Sequence, residues 1–581
     1  MTTTASRTTS AAPPVVRPRR RLKPWNVLLW VGAAVVAAAV LTPIVYLVVG
    51  AFHRDTDGGM TGGGLSLANL HAVYGSTKYL RPLGNSVLLG ALVALCSTVL
   101  GGVLAWICER TDVPFRRLFA VLIPIPIFIS PLLTSLAWVA LAAPRAGFLN
   151  ASVHAVVPSI NSVMTIYSMQ GVVMVLTLHL TPYAYLAIRA ALSTIDPSLE
   201  EASTTLGVSK LATAWRMTLP LVRPAIITSA LLIFVFAIED FSAPSLLGTP
   251  AGFTTIPSEV YFDVARGGTV GEAAMAGSLL LWLAVLGLSL QRRVIARTAR
   301  YGSIGGKPSG RRVIALGPWR YLAAGVSLLY VLMALIGPYC ALVYGSFLRF
   351  VTPHINRRNM TLDNFRRMIS VDNIDALQHT LVLAFVGSTA ALIIYLFVAF
   401  VLARTHMYGR RLLDYTSILP FALPGIVIGI GLLWAFVSLP QLGIYGTVLG
   451  LAVAYAVRYM GLGVQQIKGA FVQITPDLEG SASTLGASRF VVFRTITLPL
   501  LARSIRAVST TLVVLFSLEI SATILLYTPS SRTLPVLIWN EVQEDPPAAF
   551  AIASVELTAI FVVLALSRAF VRQSSDSFSA G

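Results

Sequence analysis

The chain has 581 residues, of which 56% are hydrophobic and 12% are charged, and its mean hydropathy is +0.77. Soluble domains are about 45–50% apolar and about 25% charged, so this composition excludes a soluble protein and indicates a polytopic membrane protein. The net charge of +19 would also suit nucleic acid, but the basic residues cluster beside apolar runs, as on the cytoplasmic side of membrane proteins. We therefore expect a lipid bilayer and no nucleic acid as partner.

Residues 1–24 are rich in Thr, Ala, Pro and Arg, a composition that predicts a disordered basic cytoplasmic tail. Residues 25–291 are predicted to form a first membrane half. Its apolar runs are each near the roughly 20 residues that span a bilayer, and they lie near 26–52, 85–108, 118–143, 163–190, 221–248 and 271–291. The basic stretch 292–320 predicts a cytoplasmic linker.

Residues 321–570 repeat this pattern, and residues 571–581 form a short second cytoplasmic tail. The runs of the second half lie near 321–348, 378–404, 413–438, 447–468, 504–527 and 549–569. With both termini in the cytoplasm, the loops that fall inside carry most of the remaining Arg and Lys, as the positive-inside rule requires. The predicted fold is an all-α polytopic membrane protein of two homologous six-helix halves.

A polar segment between spans occurs twice. Residues 195–220 and 474–499 align without gaps at an offset of 486 − 207 = 279 residues, which superposes Gly207 on Gly486 and Leu219-Pro220 on Leu498-Pro499. Ungapped matches of this length indicate an internal duplication. Each copy predicts two short helices joined at the glycine, with the Leu-Pro pair ending the second helix. We call each such pair of short helices, residues 195–220 and residues 474–499, a knob, and its compact shape suits docking into a soluble partner.

The first copy resembles the EAA motif of ABC-importer permeases, a pattern of Glu-Ala-Ala, Gly, Ile and Leu-Pro at fixed spacing. It appears as Glu201-Ala202-Ser203, Gly207, Met217 and Leu219-Pro220. The second copy keeps Gly486, Ile496 and Leu498-Pro499, but Gly480 replaces the first Glu and Glu479 precedes it by one residue.

This resemblance implies a fold like that of type I ABC importer permeases, with the motif forming cytoplasmic coupling helices that seat in an ATPase subunit. The layout from about residue 25 to 570 is similar to fused twelve-span permeases of the ferric-ion and thiamine importer group. The ATPase-coupling residues carried over are Glu200, Glu201, Ala202, Gly207, Leu219 and Pro220 in the first copy and Glu479, Gly486, Leu498 and Pro499 in the second.

The sequence contains no phosphate-binding loop, since Gly305-Gly306-Lys307 lacks the leading Gly and is followed by Pro308. We therefore expect no enzyme activity and no bound cofactor in this chain. The resemblance implies that ATP acts through two copies of a separate cytoplasmic ABC ATPase. It also implies an extracytoplasmic substrate-binding protein and a multi-pass location in the bacterial inner or plasma membrane.

Ionisable residues inside apolar runs are expensive and usually line a pathway. The first half carries Glu239, Asp240 and Ser242 in its fifth run, and the same offset places Glu519 and Ser521 opposite Asp240 and Ser242. We expect these five residues to line a translocation pathway between the halves. The alternative is that the acids lie hydrated near a helix end or pair with arginine. No catalytic residues and no permanent metal site are predicted.

The third run of each half contains several prolines, Pro124, Pro126 and Pro131 in the first and Pro420 and Pro424 in the second. Breaks at these prolines either line a cavity with freed carbonyls or act as packing kinks.

The expected function is import of a small polar solute by alternating access, with ferric iron as the first choice because an acidic cavity favours a cation. Thiamine, a polyamine and 2-aminoethylphosphonate are alternative solutes. An ion-gradient-driven secondary transporter is the alternative class, and it leaves the two matched docking segments unexplained. A membrane enzyme would need a catalytic motif, and the sequence contains neither HExxH nor GxSxG.

Overall fold

The computed structural model describes residues 24–53, 64–144, 146–156, 165–196, 203, 205–298, 313–352, 357–405 and 407–579. Within these ranges the chain forms helices and turns, and strand pairing is limited to three isolated bridges. The predicted boundaries of the tails, halves and linker stay predictions.

The described helices of the first half are α1 (Pro24–Ala51), α2 (Ala68–Tyr74), α3 (Thr77–Arg110), α4 (Arg116–Leu122), α5 (Pro131–Ala142), α6 (Phe148–Val156), α7 (Met169–Ser193), α8 (Lys210–Thr213), α9 (Leu219–Glu239), α10 (Ile256–Ala265) and α11 (Val270–Thr298). Short π or 3-10 turns extend several of these helices.

The described helices of the second half are α12 (Trp319–Val331), α13 (Gly337–Ser346), α14 (Asp363–Arg367), α15 (Val371–Leu381), α16 (Ser388–Arg404), α17 (Arg410–Ile418), α18 (Gly425–Ser438), α19 (Val448–Arg458), α20 (Met460–Gln473), α21 (Pro476–Thr484), α22 (Arg489–Val492), α23 (Leu498–Ser517), α24 (Thr523–Leu526), α25 (Leu534–Glu544) and α26 (Pro546–Ser579).

By length and composition, nine helices of the described ranges could cross a membrane, and three bent helix pairs raise the number to twelve. The bends measure 104° between Arg116–Phe128 and Pro131–Ala142, 110° between Arg410–Phe421 and Gly425–Ser438, and 52° between Val448–Arg458 and Met460–Gln473. Each of the twelve predicted runs overlaps one of these helices or pairs. The predicted all-α membrane fold is confirmed.

The sharpest bends occur where the third runs contain proline. Pro131 is the first residue of α5, and Pro424 immediately precedes α18. Proline has no backbone N–H and disfavours the helical conformation in the residue before it, so both positions favour a break in the helix. Ser130 caps the new helix α5, because its hydroxyl oxygen accepts a hydrogen bond of 3.2 Å from the Leu133 amide.

The duplication is visible in matched hydrogen bonds. The Ser168 hydroxyl accepts from the Gly171 amide at 3.0 Å, and Thr447 accepts from Gly450 at 3.1 Å, at the offset of 279 residues. Likewise the Asn69 side chain donates to two backbone carbonyls near the end of α1, and Asn364 donates to two near the end of α13.

The first helix of each half packs against a helix of the other half. Helix α1 packs on α18 of the second half, and α13 packs on α5 of the first half. The Gly431 backbone approaches the Pro43 carbonyl so closely that a side chain at this glycine would overlap it. The broken third runs are therefore held between both halves.

Candidate functional site

The second copy of the duplicated segment is described almost completely. Pro476 is the first residue of α21, as expected for a helix start. Gly486 follows with φ +87°, a left-handed conformation that favours glycine, and α22 then leads into the span. Gly207 has φ +81° at the equivalent position. The predicted break at both glycines is confirmed.

The end of the second short helix differs from the prediction. A π turn covers Ala214–Thr218 in the first copy and Phe493–Thr497 in the second, and each runs directly into the next span. Pro220 and Pro499, each the second residue of that span, therefore do not end the helix. The physical reason is that a π turn is wider than an α-helical turn and so accommodates the proline ring and its missing N–H.

Large apolar side chains are exposed on both copies. Leu206 is 83% exposed and Leu485 is 89% exposed, at equivalent positions beside the two glycines. Trp215 is 65% exposed in the first copy. Each copy thus presents an exposed leucine at a matched place outside the membrane-spanning helices, and such a side chain suits contact with another protein.

Glu479 points into the molecule. Its carboxylate lies 2.9 Å from Arg404 Nε through Oε2 and accepts a hydrogen bond of 2.9 Å from the Thr497 hydroxyl through Oε1. The same arginine donates to the carbonyls of Phe471 and Ile474 at 3.2 and 3.0 Å. Glu479 thus fixes the second knob to α16, and its side chain is only 19% exposed.

In the first copy, Glu200, Glu201 and Ala202 lie outside the described residues. What is described matches the second copy: the Val208 amide donates to the Ser203 carbonyl at 3.1 Å, and Ala487 donates to Ala482 at 3.1 Å. The Arg110 side chain donates to the Leu192 carbonyl at 3.0 Å, as Arg404 does to Phe471. The two copies therefore share the turn at the glycine and an arginine contact to the end of the preceding span.

The five residues predicted for the pathway meet at one cavity of about 180 Å³. Glu239, Asp240 and Ser242 come from the first half, and Glu519 and Ser521 come from the second. The wall also contains residues from both proline bends, namely Ser130, Pro131, Pro420 and Phe421. The breaks in the third runs therefore border the cavity.

The acids lie at helix ends, as the alternative interpretation held. Helix α9 ends at Glu239 and α23 ends at Ser517, so the predicted runs 221–248 and 504–527 are each interrupted near their acids. Asp240 accepts a hydrogen bond of 2.9 Å from the Ala243 amide, and Glu519 accepts one of 3.0 Å from the Ala522 amide. Each acid thereby supports the backbone that turns at the cavity, an arrangement that also fixes its carboxylate there.

Arg458 is the residue that the sequence prediction missed. Its Nε lies 3.2 Å from Glu519 Oε2 and its Nη2 lies 3.7 Å from Glu239 Oε1, so it contacts acids from both halves. Tyr459 donates a short hydrogen bond to the same Glu519 carboxylate. The missed signal was an arginine inside the apolar run 447–468, where a basic residue is as expensive as an acid.

Gly425 leaves room for this arginine. The guanidinium lies directly against the Gly425 backbone, and any side chain there would overlap it. Gly425 starts α18 just after the second proline bend. The bend and the glycine together therefore create the space in which Arg458 reaches the cavity.

The position equivalent to Arg458 in the first half is His179, which also lines the cavity. His179 is buried, and its Nδ1 atom has no hydrogen-bond partner among the described residues. No three His, Cys, Asp or Glu side chains of the described ranges are grouped to hold a metal ion. The cavity acids are thus distributed along the wall, with a cationic side chain between two of them.

The comparisons with known proteins agree with this architecture. The family model for the binding-protein-dependent transport system inner membrane component matches residues 97–301 and 395–575, once in each half. The chain is similar to the ferric transport system permease protein FbpB of Actinobacillus pleuropneumoniae, with 26% identity across 85% of this chain and 71% of that protein.

It is also similar to the Fe(3+)-transport system permease protein FbpB 2 of Haemophilus influenzae, with 23% identity across 84% of this chain and 90% of that protein. The sulfate transport system permease protein CysT of Salmonella typhimurium is 32% identical across 44% of this chain and 92% of its own length. The twofold family match covers more than half of the chain, in two halves with matched anchoring contacts. The chain belongs to the binding-protein-dependent transport system inner membrane components, as a fused permease with two copies of the family domain.

Proposed function

We propose that this chain is the permease subunit of an ATP-driven importer that carries ferric iron inward. The observation that carries the proposal is the cavity between the halves, where Glu239, Asp240 and Glu519 supply three carboxylates and Arg458 one positive charge. This excess of carboxyl groups over cationic groups favours a cation. Two relatives named as ferric-iron permeases support the same cargo.

The energy for transport would come from two copies of a cytoplasmic ABC ATPase. The duplicated segments 195–220 and 474–499 would act as coupling helices, with Leu206 and Leu485 as exposed contacts for each ATPase. Gly207, Leu219, Pro220, Gly486, Leu498 and Pro499 would shape these helices, and Glu479 would fix the second one to the membrane domain. The roles of Glu200, Glu201 and Ala202 are proposed from the motif alone.

Closure of the ATPases on ATP would move the two knobs together and rearrange the halves around the cavity. The side chains of Arg110 and Arg404 support this coupling, because each joins a span of its own half to the end of the span that leads into the coupling segment. Alternating exposure of Glu239, Asp240, Ser242, Glu519 and Ser521 to the two sides would then carry the solute across.

The solute would arrive on an extracytoplasmic binding protein, and the chain would lie in the bacterial inner membrane with both termini in the cytoplasm. The basic residues that flank the first span and the linker 292–320 support this orientation. Thiamine and a polyamine are cations and would suit the acidic cavity too, whereas 2-aminoethylphosphonate would depend more on Arg458.

The test is reconstitution of the chain in lipid with the ATPase and the binding protein encoded beside its gene. ATP hydrolysis is measured while ferric ion, thiamine, spermidine and 2-aminoethylphosphonate are supplied in turn. Stimulation of ATP hydrolysis by ferric ion alone supports the proposal. Stimulation by another solute instead would mean that this solute, and not ferric ion, is transported. A chain that binds no ATPase, and that accumulates solute on an ion gradient instead, would make the secondary transporter the correct class.

A further inference from the structure

Arg458 has the environment of a bound cation. Its guanidinium is in the cavity wall with 15% of the side chain exposed, between carboxylates 3.2 and 3.7 Å away. Its Nη1 atom is buried and has no hydrogen-bond partner among the described residues. A buried guanidinium with an unused donor is incompletely satisfied, which is unusual for a purely structural ion pair.

The carboxylates around Arg458 differ in how firmly they are held. Glu519 is fixed by the Ala522 amide, by Tyr459 and by Arg458 itself. Glu239 has, within the described part of the chain, only the longer contact of 3.7 Å to Arg458. Because Glu239 makes one long contact and Glu519 makes three, Glu239 can exchange one cationic partner for another more easily than Glu519 can.

The contact spans the two halves. Glu239 ends α9 of the first half, whereas Arg458 ends α19 of the second half, at the point where the chain bends by 52° into α20. The Arg458 side chain changes direction when the angle of this bend changes. Its contact with Glu239 also depends on the distance between the two halves. The position of Arg458 is thereby tied to the arrangement of the two halves.

We infer that Arg458 is a displaceable internal counter-ion: in the arrangement described here it occupies the cation position of the cavity, and it must leave Glu239 and Glu519 before a transported cation can bind there. The inference rests on the proposed import of a cation, and it adds a specificity-determining residue to that pathway. The guanidinium and the solute compete for the same carboxylates, so Arg458 offsets one of the three carboxylate charges of the cavity until a solute takes its place.

The test measures equilibrium binding of ferric ion, buffered with nitrilotriacetate, to the permease–ATPase complex in lipid nanodiscs without ATP or binding protein. Arg458→Gln is expected to bind ferric ion at least tenfold more tightly than the wild type, because the competing charge is gone. Arg458→Lys, which keeps the charge on a different head group, is expected to lie between them. The matched control is Lys468→Gln, which removes a positive charge from the same bent span. Lys468 pairs with Asp414, and neither residue lines the cavity, so this variant should bind ferric ion like the wild type.

Binding by Arg458→Gln that is no tighter than in the wild type overturns the inference. If Arg458→Gln does not fold, the double variant Arg458→Gln/Glu519→Gln is compared with Glu519→Gln, since it keeps Glu239 and Asp240 and removes one charge of each sign. The inference expects tighter binding by the double variant, and equal binding overturns it. A wild-type complex that imports no ferric ion refutes the proposed function separately, because the binding comparison needs neither ATP nor the binding protein.

Discussion

The fourth spans of the two halves occupy equivalent positions but differ where they meet the cavity. In the first half α7 runs without interruption from Met169 to Ser193 and presents His179. In the second half the equivalent span bends by 52° and presents Arg458 and Tyr459. At their starts the same two spans carry matched hydroxyl caps, Ser168 and Thr447.

The two halves have thus kept the contacts that build the scaffold and have diverged around the cavity. Caps, carbonyl anchors and left-handed glycines recur at equivalent positions. Only part of the charge recurs: Asp240 stands opposite Glu519, but His179 stands opposite Arg458 and Glu239 stands opposite Leu518. Substitutions in matched pairs should therefore have unequal effects at the cavity and similar effects in the scaffold.

The largest difference is expected between Glu519→Gln and Asp240→Asn. Glu519→Gln removes the buried carboxylate nearest to the partly buried Arg458, and we expect the free energy of unfolding to fall by about 3 kcal/mol. Asp240→Asn keeps an oxygen that can accept from the Ala243 amide, so a loss of about 1 kcal/mol or less is expected. Thermal melting of the purified variants measures both, and equal losses would contradict the asymmetry.

The next effect concerns the second knob. Arg404→Met removes the partner of Glu479 and the donor to two carbonyls, which should lower stability by about 2 kcal/mol and weaken ATPase binding at least tenfold. Co-purification of the ATPase with the variant measures the second part. Arg367→Met is the control, because its ion pair with Asp545 lies on a different part of the surface. Unchanged ATPase binding in Arg404→Met would mean that Glu479 needs no such anchor.

A smaller effect is expected from the paired substitutions Gly207→Ala and Gly486→Ala. Both glycines have φ above +80° with open space around them, so alanine adds backbone strain of about 1–2 kcal/mol without a clash. ATP hydrolysis stimulated by solute should fall in each variant. Gly469→Ala, inside α20 with open space around it and outside the segment 474–499, is the control. Equal losses of ATP hydrolysis in the two variants would mean that the second motif functions as the first does. A loss in Gly207→Ala alone would mean that coupling depends mainly on the first copy.

The smallest effect, and the most symmetric one, is expected from the helix caps. Ser168→Ala and Thr447→Ala each remove one hydroxyl that accepts from a glycine amide, at a cost of about 1 kcal/mol. The two melting temperatures should shift by the same amount within error, and solute transport should be retained. Clearly different shifts would show that the scaffold has diverged as well.

Much of the fold could be predicted because the signals are local or periodic. Long apolar runs specify the spans, and the two prolines Pro131 and Pro424 specify the breaks. Gly207 and Gly486 marked the joints of the knobs, since only glycine adopts their backbone angles without strain. The offset of 279 residues brought Asp240 and Glu519 together in the alignment, and the structure brings both to one cavity.

The remaining features depend on contacts that no local pattern records. Glu479 pairs with Arg404, 75 residues earlier in the chain, so the sequence did not indicate that this acid faces inward. The helices continue through Pro220 and Pro499 because π turns precede them, and a π turn has no clear sequence signature. Arg458 carried the same intramembrane signal as the acids, but its role emerges only from its distances to Glu239 and Glu519.

One arginine that touches acids from both halves also bears on the evolution of the chain. In a homodimer of identical subunits, two-fold symmetry would repeat every residue, so an arginine at this position would always be accompanied by its own copy across the axis. Gene fusion removes that constraint, because each half can then mutate alone. The pairing of Arg458 with Glu239 and Glu519, while His179 occupies the sister position, is accessible only after the two halves have become distinct sequences.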